Sequence, residues 1–155
     1  MSRSVTETIF LAVAPERVWE TVMDPTQLRR WVTTHDSVAG ATPGPVREGD
    51  SFTQKLRLAG KSFEVDWTVV EADEPHLARW EGQGPGGSRA RVSYRLASAD
   101  GGTRFDYRSK FALPGGALGK VAGGLLAAAP GKREASRSLK RLRALLENGP
   151  GVPAS

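Results

Sequence analysis

Between residues 51 and 113 the chain alternates apolar and polar side chains, interrupted at short intervals by turn-forming residues. SFTQKLRL (51–58) leads through Ala59-Gly60, a tight turn, into KSFEVDWTVVEAD (61–73). HLARWEG (76–82) follows Pro75, and GQGPGGS (82–88) is a loop by composition. RARVSYRLAS (89–98) and TRFDYRSKFAL (103–113) flank Asp100-Gly101-Gly102, a hairpin signal. Successive period-two segments on short connections predict five strands in an antiparallel meander.

Alternation assigns each strand two faces. One carries Phe52, Gln54 and Leu56, then Phe63, Val65, Trp67 and Val69, then Ala78 and Trp80. It continues through Ala90, Val92, Tyr94 and Leu96 to Phe105, Tyr107, Ser109 and Phe111. The other face holds most of the arginines, with Glu64, Asp66, Glu81 and Asp106. Such a sheet has one dry and one solvated side.

Upstream, SVTETIFLAV (4–13) reads as a further strand. VAPERVWETVMDPTQLRRW (13–31) then places a proline at the head of each of two short amphipathic runs. Proline suits a first helical turn, where its missing N–H costs nothing. Asp24 is a good N-cap before Pro25. Val18, Trp19 and Val22 form one apolar stripe, and Leu28 and Trp31 the next. GATPGPVREGD (40–50) is a loop by composition.

After Pro114-Gly115-Gly116 the period lengthens. Leu118, Val121, Ala122, Leu125 and Ala129 share one helical face, and beyond Pro130-Gly131 so do Ala135, Leu139, Leu142 and Leu146. A long C-terminal helix is expected, kinked or interrupted at Pro130. The glycines of 114–131 suit a gate at the helix start, or simply a close-packed helix beginning. One domain is expected over residues 1–147, with a disordered tail at 148–155.

Composition removes several classes of chemistry. The absence of cysteine excludes disulfides and thiolate catalysis, and suits a cytoplasmic location. No secretory signal or transmembrane span is expected. His35 and His76 lie far apart in sequence and read as surface or loop histidines, so no metal and no cofactor is expected. The net charge of +5 is local: KREASRSLKRLR (132–143) carries six bases and one acid, and the remainder sixteen of each sign. This segment reads as a solvated helix face or as a surface for an anionic partner. No aromatic residues interleave with it, so no nucleic acid is expected.

The spacing A-P-x-x-V-W-x-x-x-x-D-P-x-x-L-x-x-W, with a Pro-Gly-Gly-led helix ending in SLKRLRALLE, closely resembles the START-like superfamily. This superfamily includes polyketide cyclase/dehydrase-type (SRPBCC) and pollen-allergen-like proteins. The resemblance implies an α+β helix-grip fold. In it a curved antiparallel β-sheet wraps a long C-terminal α-helix, and two short helices follow the first strand. It also implies an elongated cavity between sheet and helix, where members commonly bind apolar or amphipathic small molecules.

The polar groups expected inside are Gln54, Ser109 and the hydroxyls of Tyr94 and Tyr107. Candidate lining residues are Trp31, Phe52, Gln54, Phe63, Trp67, Trp80, Tyr94, Phe105 and Tyr107, with Leu118, Val121 and Leu125 from the long helix. The aromatic members either fill the interior or line a flat-ring site. Three functions follow as alternatives. The first is binding of a small hydrophobic or aromatic, lipid- or polyketide-like molecule. The second is a polyketide cyclase/dehydratase-type enzyme using Tyr107, Tyr94 or Gln54 on a carbonyl, without an obvious inward base. The third is a non-catalytic interaction module built on the basic helix. A monomer or homodimer is expected.

Overall fold

In a computed structural model of the chain, described for residues 2–58, 60–113 and 131–148, the alternating segments form one antiparallel sheet. The strands are β1 (Ser2–Leu11), β2 (His35–Ala39), β3 (Ser51–Leu58), β4 (Lys61–Asp73), β5 (Leu77–Gln83), β6 (Arg89–Ala99) and β7 (Gly102–Ala112). Their order is β1-β7-β6-β5-β4-β3-β2, so only the first strand leaves chain order, by pairing with the last. The hairpin at Asp100 and Gly101 holds two residues between paired Ala99 and Gly102, both at positive φ. Asp-Gly is a favoured pair for such a turn, because its twist matches that of the strands.

Two short helical pieces follow β1. α1 (Pro15–Val22) begins on Pro15, and its buried side is Pro15, Val18, Trp19 and Val22. Asp24 then caps the next piece through Oδ1, which accepts from the Thr26 N–H at 2.9 Å. That piece is a single 3-10 turn at Pro25–Gln27 leading into α2 (Leu28–Trp31). The second Asp24 oxygen accepts from the Gly44 N–H at 2.9 Å, tying the 40–50 loop to this corner. The carboxylate is buried, and these bonds satisfy both of its oxygens.

The C-terminal helix α3 (Lys132–Asn148) turns Ala135, Leu139, Leu142 and Leu146 inward, against β1 and α2. Lys132, Arg133, Arg137, Lys140 and Arg141 are exposed. The core joins Leu139, Leu142 and Leu146 to Val18, Trp19 and Val22 of α1 and to the inner sheet face. On the outer face Arg79 pairs with Glu71 at 2.7 Å, and Thr53 donates to Asp66 at 2.7 Å. Asp66 therefore points away from the interior, as alternation predicts.

Three details differ from the reading of the sequence. The strand expected at 4–13 occupies Ser2–Leu11. β2 is an additional strand; it is short, half-exposed and at the sheet edge, so its alternation is faint. β4 contains a bulge between Val69 and Glu71, which leaves Val70 exposed and returns Ala72 to the inner side. A bulge bends its strand and helps the sheet curl.

Candidate functional site

The curl and α3 border a cavity of about 130 Å³. An apolar cavity of about 150 Å³ is enough to hold benzene. The wall is set by register. Gln54 faces Val65, Leu56 faces Phe63, Val69 faces Trp80, Ala78 faces Tyr94, and Tyr94 faces Tyr107 across adjacent strands. Trp31 closes one side from the end of α2, and Ala135, Ser138 and Leu139 close another from α3. Exposed Pro85, Arg89, Arg91 and Lys110 mark the mouth.

The aromatic wall is built on Tyr94 and Trp80. Their ring centroids lie 5.6 Å apart at a steep angle. Trp31 stands 6.3 Å and Tyr107 6.1 Å from Tyr94, and Trp67 stands 6.0 Å from Trp80. The Trp80–Tyr94 and Trp67–Trp80 pairs meet edge to face, which suits the ring quadrupoles, while Trp31 and Tyr107 lie tilted against Tyr94.

Of the expected lining residues, Trp31, Gln54, Phe63, Trp67, Trp80, Tyr94 and Tyr107 meet at this wall. Phe52 and Phe105 do not. Phe52 packs edge-on to Trp80 at 5.2 Å and Phe105 lies against Tyr94 at 5.3 Å, both buried in the core beyond the wall. Alternation gives the face of a strand but not the depth along it. Leu118, Val121 and Leu125, with the glycine-rich segment, lie outside the described residues.

A polar chain runs through one side of the wall. Trp67 Nε1 donates to Gln54 Oε1 at 2.9 Å, and Gln54 Nε2 meets His35 Nδ1 at 2.9 Å. An indole nitrogen only donates, so the Gln54 oxygen must face it and the amide nitrogen must face His35. His35 Nδ1 is then the acceptor, and the imidazole is neutral. Its pKa is lowered accordingly, chiefly by burial and further by Arg29, against an opposing pull from Asp36. His35 is thus a half-buried member of the wall's support rather than a surface histidine.

Tyr94, Tyr107 and Ser109 add polar groups to the lining. Burial pushes the Tyr94 phenol well above its ordinary pKa, and Tyr107 beside it adds to the effect. Burial also raises Tyr107, against a hydrogen bond with Ser109. Both phenols are protonated at neutral pH and can donate. No carboxylate lines the cavity among the described residues.

The corner between α2 and β2 is latched to α3. Thr33 Oγ1 donates to Glu134 Oε2 at 2.6 Å, and the Thr33 N–H donates to Ser138 Oγ at 3.1 Å. Val32 and Thr34, on either side of Thr33, line the cavity with Ser138. The sequence reading missed this latch and the Gly84–Ser88 rim, because neither has a periodic signal. The only hint was the polar Ser138 on a helix stripe otherwise made of alanine and leucine.

A family model described as polyketide cyclase / dehydrase and lipid transport matches residues 2–147. An uncharacterized protein of Mycobacterium tuberculosis is 28% identical over 133 residues, spanning 86% of this chain and 91% of its own length. Among solved structures, protein CV1439 from Chromobacterium violaceum superposes with a TM-score of 0.69 at 18% identity, over 93% of this chain and 96% of that one. Ara h 8.0201 superposes with a TM-score of 0.63 at 15% identity, over 94% and 98% of the two chains. At these identities the structural likeness is one of fold. No described helix is long and apolar enough to cross a membrane.

Proposed function

The chain belongs to the polyketide cyclase / dehydrase and lipid transport family, and from that premise we propose that it binds a small hydrophobic or aromatic molecule between sheet and C-terminal helix. The aromatic wall around open space carries this reading. Trp31, Phe63, Trp67, Trp80, Tyr94 and Tyr107 border a volume close to that which holds a small aromatic ring, with a mouth at the Gly84–Ser88 rim. Apolar walls with a few placed polar groups are the usual form of a small-molecule site.

The same wall argues against the cyclase or dehydratase reading. Removing a proton beside a carbonyl needs a base within hydrogen-bond reach. Among the described residues the lining offers protonated phenols and indoles, and the His35 imidazole behind Gln54 already accepts from that amide. No such base stands free among the described lining residues.

A titration with indane, a two-ring hydrocarbon, followed by tryptophan fluorescence, tests the reading. Saturable change with one-to-one stoichiometry supports it, since three of the four tryptophans line the cavity. An unchanged spectrum up to the solubility limit contradicts it.

A further inference from the structure

Charge on the outer sheet face is unbalanced at one place, the mouth-side end of β6 and β7. The outward rows there pair Arg89 with Ala112, Arg91 with Lys110 and Ser93 with Arg108. All four bases are exposed, and Arg89, Arg91 and Lys110 mark the cavity mouth. The next outward row, Arg95 with Asp106, restores the balance. Arg91 and Lys110 stand directly opposite each other, and like charges so placed are destabilising. The pair works against the sheet unless an anion covers it. Glu81 reaches Arg91 from β5 at 3.5 Å, but Arg89, Arg108 and Lys110 make no ion pair among the described residues. On the other side β1 sets two hydroxyls in line, Ser4 opposite Lys110 and Thr6 opposite Arg108.

The groups beside these bases are apolar or uncharged. Half-buried Phe63 and Phe111 line the cavity. The exposed turn Pro85–Gly87 at the rim carries no charge. Residues 114–130, which join β7 to α3 in sequence, add one base, Lys120, and no acid. A nucleic acid or an acidic protein would answer the charge alone. A bilayer containing anionic lipids answers the charge and also offers an apolar phase directly beneath it. An apolar molecule can then pass between bilayer and cavity without crossing water.

We propose that the mouth-side end of β6 and β7 is a docking surface for an anionic membrane, with Arg89, Arg91, Arg108 and Lys110 as its contact charges. α3 lies on the inner side of the sheet, and its exposed bases Arg137, Lys140 and Arg141 take no part. The surface is separable from the binding reading, because vesicle binding is measured with no cavity ligand present.

Sedimentation with vesicles tests it, using mixed phosphatidylcholine and phosphatidylglycerol beside phosphatidylcholine alone. The unmodified chain should sediment with the mixed vesicles only, and salt should release it. Each base near an anionic surface is worth about fivefold in partitioning. Arg91→Gln combined with Lys110→Gln should therefore weaken binding by about thirtyfold. The urea midpoint of that variant should stay level or rise, since a like-charge pair is gone. Arg137→Gln combined with Lys140→Gln and Arg141→Gln should bind nearly as the parent does. Should the first variant fail to fold, Arg89→Gln with Arg108→Gln reads the same surface. Equal sedimentation with both kinds of vesicle, or with neither, overturns the proposal. So does binding that survives the β6–β7 changes or is lost with the α3 changes. Binding to poly(U) RNA that depends on Arg91 and Lys110, with no sedimentation on vesicles, would overturn it in favour of a nucleic acid.

Discussion

Trp67 and His35 hydrogen-bond to the two ends of one amide, so the orientation of one fixes the protonation of the other through Gln54. Trp67 Nε1 holds the Gln54 oxygen at 2.9 Å, and this turns the amide nitrogen toward His35 Nδ1 at 2.9 Å. The relay ties edge strand β2 to β3 and β4, and it holds one indole of the wall in a fixed plane.

Gln54→Leu removes the middle of that relay and leaves the Trp67 N–H unpaired in a buried site. The expected cost is about 1–3 kcal/mol of stability, read from urea unfolding. Stability within error of the parent protein would show that the relay contributes nothing.

The relay also gives stability a pH dependence. Folding lowers the His35 pKa from its ordinary 6.5. The unfolded chain therefore binds the proton more readily, and stability rises with pH across the window between the folded value and 6.5. The His35 contribution is full above that window and is lost as pH falls through it. Urea midpoints measured from pH 7.5 down to 5 should decline, and His35→Asn should flatten the decline. A His35→Asn profile parallel to that of the parent would contradict the assignment.

Gly82 lies opposite Trp67 in the β4–β5 pair. A Cβ there would sit 2.6 Å from Val65 Cγ1 and 2.8 Å from Trp67 Cε3. Gly82→Ala must therefore push the wall inward or open the strand pair. Overpacking of this kind costs about 1–3 kcal/mol, and displaced Trp67 should weaken ligand binding as well. An alanine variant with unaltered unfolding and binding curves would show that the sheet absorbs the methyl freely.

Asp24 joins the head of the second helical piece to the 40–50 loop through two oxygens. Asp24→Ala leaves the Thr26 and Gly44 N–H groups without this acceptor, and about 1–2 kcal/mol of stability should be lost. Asp24→Asn keeps one acceptor oxygen and should cost less. Equal losses in thermal unfolding would mean that only charge matters at this position.

How far the sequence foretold the molecule depends on the reach of each signal. The inward set from Gln54 to Tyr107 was legible because a strand's two-residue period is set by its own backbone. Asp24 and Pro25 were legible because a cap acts over three residues. The partnership of His35 with Gln54 was not, since it depends on two strands meeting 19 residues apart. The Thr33–Glu134 bond spans 101 residues and leaves no local trace. Phe52 and Phe105 share a face with the wall, but their place beyond it is set by how the sheet curls.

On the binding reading, the space between the sheet and α3 receives a small apolar molecule. The most direct measurement is a heteronuclear NMR titration of the assigned protein with indane. Saturable shifts are expected, concentrated on Trp31, Val65, Trp67, Trp80, Tyr94 and Leu139, with the outer sheet face unchanged. Shifts that never saturate, or that fall on the exposed face of α3 and leave these residues still, would contradict it.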